Sequence, residues 1–398
     1  MKKLLVLGGD HFTIPVVEAA HQQGYYVITC DYLPDNVAHK ISDEYANFST
    51  TDKEGILAYA KEKKIDGIVT FTDSGVITTA YVQHHLGLPQ IGPLESVEIL
   101  QNKARFRQFL TDKGFNVPKA KGYTRYEDAI KDALFFNWPV IVKPVDSAAS
   151  KGVRKLNNID QLKEAVDYAL QFSVSKQFII EEFIDKQGCS SDSDCFSING
   201  NFVVITYSAQ RFDENAKNPY APSAFSWPST FSKEEEKKLS TDLQHLIELL
   251  GMKTSIYNIE TRVGIDGKPY IMEVSPRGGG NRLAEMVRIS TGVDMITAAV
   301  RAAVGDFVEL KQSPLQGYWA EVIVHSDKTG KFEEIIIDKD FYAKHVFQED
   351  LWVNRGDFID AFTGGNKAIG TIVLSFGNEK EMLTALKEQN KWLRVMVS

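Results

Sequence analysis

Residues 254–283 read TSIYNIETRVGIDGKPYIMEVSPRGGGNRL. Two β-rich runs flank Asp266-Gly267, a dipeptide that strongly favours the tight turn of a hairpin. With those two residues as the turn, Glu260 falls opposite Glu273 and Asn258 opposite Ser275. Directly opposed residues on an antiparallel pair have Cβ atoms roughly 4.5–5.5 Å apart, and like charges there repel. Two such carboxylates either face water on a solvated strand or hold a cation. A hard, all-oxygen environment suits Mg²⁺ or Mn²⁺. Period-two alternation places Ser275 and Arg277 on the face of Glu273.

Working outward, the 398-residue chain is long enough for two or three domains. Its 43% apolar and 25% charged residues are those of an ordinary globular protein. Glycine and aspartate interrupt the first apolar run after Leu7, and no run reaches the roughly 20 apolar residues of a membrane span. A cytoplasmic protein is expected. A net charge of −8 without a basic block argues against a nucleic-acid surface. Cys30, Cys189 and Cys195 match no zinc or redox spacing, and isolated thiols are expected.

The amino-terminal hundred residues alternate strand and helix signals: strands at 3–7, 26–30 and 67–71, helices at 14–23, 53–64 and 76–85. That pattern implies a doubly wound parallel sheet. LGGDHFTIP, after the first strand, lacks the G-x-G-x-x-G of a dinucleotide site. A helix from Lys103 follows. Then KPVDSAASKGV (143–153) sets a lysine at a strand end before a run of small residues. Ser147, Ala148, Ala149, Ser150 and Gly152 offer hydroxyls and backbone N–H groups with little bulk, as a phosphate-covering flap requires, although a solvated turn reads the same way. No P-loop motif is present. QFIIEEFI ends in Glu181-Glu182-Phe183-Ile184, a strand end able to offer backbone groups to an adenine edge. Two strands joined by Asn199-Gly200-Asn201 form a further hairpin. Residues 210–231 read as a long aromatic and proline-rich loop facing substrate, with Arg211, Asp213 and Trp227 as candidate pocket wall. Residues 317–398 alternate strand-like runs with Gly and Asp turns and hold one further helix, giving a small α+β cap.

Taken in order, these motifs resemble the ATP-grasp superfamily of carboxylate-amine ligases, within it the amino-acid ligase and carbamoyl-phosphate-synthase-like group. The resemblance covers the whole chain. It implies a doubly wound pre-ATP domain (1–100), a split ATP-grasp core (101–310, flap subdomain about 118–185) and an α+β cap (311–398). It further implies that Lys103 and Lys143 contact phosphates and that Ser147, Ser150 and Gly152 belong to the flap. Glu181, Glu182, Phe183 and Ile184 fall on the adenine hinge, with Glu181 reaching the exocyclic amine. Glu260, Glu273 and Ser275 fall on the metal site.

Two departures stand out. Gly188-Cys189-Ser190 replaces the Gly-x-Glu whose acid holds the ribose, leaving Asp192 or Asp194 as substitutes, and Ser275 replaces an asparagine. The implied activity is ATP-dependent activation of a carboxylate as an acyl phosphate, opened by an amine such as an amino acid. Arg277 would grip the carboxylate in a bidentate fork, while Gly279, Gly280 and Asn281, with Arg211, would line the substrate. Small-molecule substrates, no nucleic acid and no membrane are the expected partners. Members of the superfamily often form dimers, which leaves a homodimer open. A carboxylase using bicarbonate and a non-catalytic nucleotide sensor are the competing readings.

Overall fold

The computed structural model describes residues 1–147, 150–213 and 216–398. Four parallel strands open the chain, in the spatial order Glu44–Ala46, Tyr26–Cys30, Lys3–Leu7, Gly67–Thr70. Leu4 to Leu7 are buried without interruption, because helices cover both faces of this sheet, as expected of a doubly wound unit. The three-residue strand Glu44–Ala46 is too short to leave a periodic signal. Helix Val76–Leu86 ends at Gly87, whose φ of +65° the left-handed cap requires.

Two antiparallel sheets form the middle of the chain. One orders Ala120–Tyr123, Phe178–Glu182, Val140–Pro144 and Arg154–Leu156, and helix Lys103–Asp112 lies against its first two strands. The other orders Asn201–Val204, Ser191–Ile198, Ser255–Val263 and Pro269–Ser275. Helix Lys233–Leu249, started by a capping box of Ser232 and Glu235, packs Leu239, Leu243, Leu246 and Ile247 toward the core. Helix Met295–Ala303 packs on helix Ile14–Gln22, so the first unit and the middle share one apolar cluster.

Residues 210–231 depart from the loop expectation. Ala209–Phe212 and Pro222–Trp227 are strands at the edge of a five-stranded sheet whose other members, Tyr318–Val324, Gly370–Phe376 and Val346–Leu351, come from the carboxy-terminal segment. The alternation Pro-Ser-Ala-Phe-Ser-Trp buries Phe225 and Trp227 on one face. Pro222 and Pro228 stand at the strand's first residue and just past its end, where no ladder hydrogen bond is lost. Glu214 and Asn215 of this stretch lie outside the described residues. All three cysteines are free. Among the described residues, no helix is long and apolar enough to cross a membrane.

Candidate active site

The 254–283 hairpin sets Glu260 opposite Glu273 and Asn258 opposite Ser275. It does so by a route other than the expected one. Gly264 N–H donates to Lys268 O (3.0 Å) and Gly267 N–H to Gly264 O (2.9 Å), so the loop is three residues, Ile265 to Gly267, not two. That shifts the pairing of residues 261–263 by one. A bulge at Met272 inserts the compensating residue, because Glu260 pairs with Glu273 while Thr261 pairs with Ile271. The bulge also turns Met272 and Glu273 toward the same cavity.

A third strand completes the arrangement. Asp192 pairs with Glu260 and Asp194 with Asn258, so two rungs on either side of the Ile259 rung carry Asp192–Glu260–Glu273 and Asp194–Asn258–Ser275. Asn258 Nδ2 donates to Asp192 Oδ1 (2.7 Å) and Asp194 Oδ1 (3.3 Å). Burial raises the Asp192 carboxyl to about 8, with the Glu260 charge adding to it. Burial likewise raises Asp194, to about 6, against the opposing pull of the Gly279 N–H. The alternation Ser191-Asp192-Ser193-Asp194 is the signal that would have extended this strand back to Ser191.

A cavity of about 180 Å³ opens beside the ladder. Its lining joins Lys103, Lys143, Ser147, Ser150, Glu181, Glu182, Phe183, Ile184, Met272, Glu260 and Glu273, residues from both middle sheets and the helix from Lys103. Lys103 Nζ donates to Ser147 O at 2.9 Å and lies 3.5 Å from Glu273 Oε2. Ser150, at φ +57°, donates to Tyr220 O (3.1 Å). Gly152 has φ +74°, and a Cβ there would stand 2.8 Å from Pro144. Ala148 and Ala149 of the expected flap lie outside the described residues.

Both Glu181 oxygens are engaged, one by Lys143 and the other by Arg107 Nε (3.1 Å). Its carboxylate is therefore a charge partner of Lys143, and reaching an adenine amine would require giving one of these up. Burial opposes its charge, yet the two cations hold the carboxyl down to about 2. Burial lowers Lys143 against the pull of Glu181. Neither Asp192 nor Asp194 lines the cavity, and at the altered Gly-x-Glu position Ser190 Oγ accepts from Arg262 Nε (3.1 Å). Arg262 also donates to Ile184 O (3.1 Å) and lies 3.6 Å from Glu260.

Several expected site residues are placed away from the cavity. The Ser275 hydroxyl accepts from Gln101 (3.0 Å) and donates to Asp73 (3.3 Å), and it does not line the cavity. The Arg277 fork is filled by Asp73, with Nε and Nη2 each 2.8 Å from a carboxylate oxygen. Gly279 N–H points at both Asp194 oxygens (2.9 Å each) and not outward. Arg211 donates to Ser226 Oγ (3.2 and 3.1 Å), while its neighbours Gln210 and Phe212 line the cavity, as strand alternation demands. Gly280 lies near Phe12, and Asn281 and Arg282, both at positive φ, lead into helix Leu283–Thr291.

Comparison with known proteins bears on the fold. Residues 136–285 match the ATP-grasp domain family. The fold is that of the ATP-grasp proteins. Over its full length it superimposes on 99% of the L-amino acid ligase from Bacillus licheniformis, with a TM-score of 0.83 and 21% identity. In sequence it is 25% identical, over 79% of its length, to an uncharacterised protein of Sinorhizobium fredii, y4rH, and 25% identical, over 74%, to the carbamoyl phosphate synthase large chain of a Thermoanaerobacter species. The chain spans 65% of the first of these relatives and 27% of the second.

Proposed function

We propose that the protein is an ATP-dependent carboxylate-amine ligase, which converts a substrate carboxylate to an acyl phosphate and joins it to an amine, with release of ADP and phosphate. The observation that carries this reading is the meeting, in one cavity, of the Glu260–Glu273 pair with Lys103 and Lys143 from two other elements. Among the described lining residues there is neither histidine nor cysteine, so the donor set fits a hard divalent cation and does not fit zinc. Glu260 and Glu273 would hold Mg²⁺ or Mn²⁺, which when bound supplies neutralisation of phosphate charge.

Phosphoryl transfer asks a protein mostly for positioning and for fixed positive charge. Lys103 and Lys143 supply that charge at the cavity wall. Ser147 and Ser150 bring hydroxyls and backbone over the same space, and Met272 offers an apolar surface to a base. Arg277 sits one residue beyond Pro276 at the end of the acidic strand. For it to take the substrate carboxylate or acyl phosphate, its fork must exchange Asp73 for that ligand. The amine then attacks the acyl carbon, and phosphate leaves.

Replacing Glu273 by Ala is expected to lower ADP formation by about a thousandfold or more, since a carboxylate that holds the cation acts on the transition state. Circular dichroism should show the variant folded. ADP release at the parent rate overturns the assignment. A phosphate-release assay over a panel of carboxylates and amines tests the reaction class. Release stimulated by bicarbonate alone would instead support a carboxylase, and ATP binding without release for any pair a sensor.

A further inference from the structure

Arg107 lies one helical turn beyond Lys103 on the same helix, so one face carries both cations toward the sheet of Lys143 and Glu181. It is 2% exposed and does not line the cavity. Its Nε donates to the Glu181 oxygen that Lys143 does not use. Its two terminal nitrogens are buried without a partner among the described residues. A buried Lys–Glu pair alone would be neutral and would offer little attraction to an anion. Two cations sharing one carboxylate leave one positive charge.

We propose that Arg107 is a positioning residue for nucleotide phosphate binding, which engages Glu181 from behind and so keeps that carboxylate from cancelling the charge of Lys143. The inference rests on the nucleotide reading of the cavity. It differs from a packing role in what it predicts for charge. Arg107→Met leaves a neutral Lys143–Glu181 pair. Arg107→Met with Glu181→Gln restores one positive charge without restoring any contact of Arg107.

Calorimetric titration of the full chain with MgATP is expected to show Arg107→Met weakened about tenfold, the order of effect of one unit charge across a partly buried site. Arg107→Lys should bind within about threefold of the parent, and the Arg107→Met, Glu181→Gln double variant several-fold tighter than Arg107→Met, since each keeps that charge. A double variant no tighter than Arg107→Met, with a parent-like unfolding midpoint, overturns the proposal. If the single Met variant is too unstable to assay, Arg107→Gln takes its place as the uncharged reference: binding about tenfold weaker than Arg107→Lys supports the proposal, and equal binding overturns it. A parent that binds no MgATP overturns the nucleotide reading itself, whereas a parent that binds, with no recovery in the double variant, overturns only the role of Arg107.

Discussion

Two glutamates in this protein are almost equally hidden from water and have opposite surroundings. Glu181, 3% exposed, sits between Lys143 and Arg107 and keeps its charge. Glu321, 0% exposed, is on the middle strand of the five-stranded sheet, opposite Phe225 and Val373, and neither of its oxygens has a partner among the described residues. Burial drives its carboxyl well above the ordinary range, with Arg282 opposing too weakly to reverse the effect. Burial alone therefore does not decide what a carboxylate does. Where the fold sets two cations in contact with the acid, its carboxyl is held down, and where burial outweighs the pull of Arg282 it is driven up.

The largest effect should come from breaking the paired case. Glu181→Gln leaves two buried cations without a counter-charge and is expected to cost about 3–5 kcal/mol of unfolding free energy at pH 7, read by urea titration. A loss below about 1 kcal/mol would show that water or relaxation compensates these charges. Glu181 is depressed in the folded state, so its contribution is present above pH 4.5 and lost as the pH falls toward about 2. The Gln variant should lack that acid-side loss.

Glu321 runs the other way. Its folded value is raised, so its contribution is fully present below pH 4.5 and is lost as the pH rises. Between pH 4.5 and the folded value, one bound proton corresponds to about 1.4 kcal/mol per pH unit. Glu321→Gln should remove that slope, leaving the variant close to the parent at pH 4 and more stable than it at pH 8. Parallel stability curves for the two proteins would place a counter-charge on Glu321 and dissolve the contrast. The smallest effect is expected at a position remote from both acids. Gly267→Ala, in a loop residue at φ +73°, should cost about 1 kcal/mol and leave MgATP affinity unchanged, because the bulge and not the loop sets the acids.

Local pattern carried much of the reading. Strand and helix alternation showed the first unit, the turn dipeptide showed the hairpin, and a lysine before small residues marked one cavity wall. Partners remote in sequence were not legible. Arg277 meets Asp73 across 204 positions, and Arg107 meets Glu181 across 74. Neither Asp73 nor Arg107 carries a local signature that separates it from a surface charge. Asp192 and Asp194 were read only as substitutes for a ribose-holding acid, because the strand that pairs them with Glu260 and Asn258 lies more than sixty residues later. The two strands within residues 209–227 were obscured because prolines and aromatics also mark loops, and the strand that joins them to the rest of their sheet, Tyr318–Val324, lies about a hundred residues later.

The Met272 bulge bears on how relatives of this chain should be compared. It absorbs the extra residue of the three-residue loop, so the two acids stay face to face although the turn is not the shortest one. A hairpin could gain or lose a residue at its tip and keep the same acid geometry by shifting or dropping the bulge. The interval between the two glutamates along the chain is then a weak signature, and an alignment that forces a constant spacing will misplace one of them. The rung, and not the gap, is the unit to match.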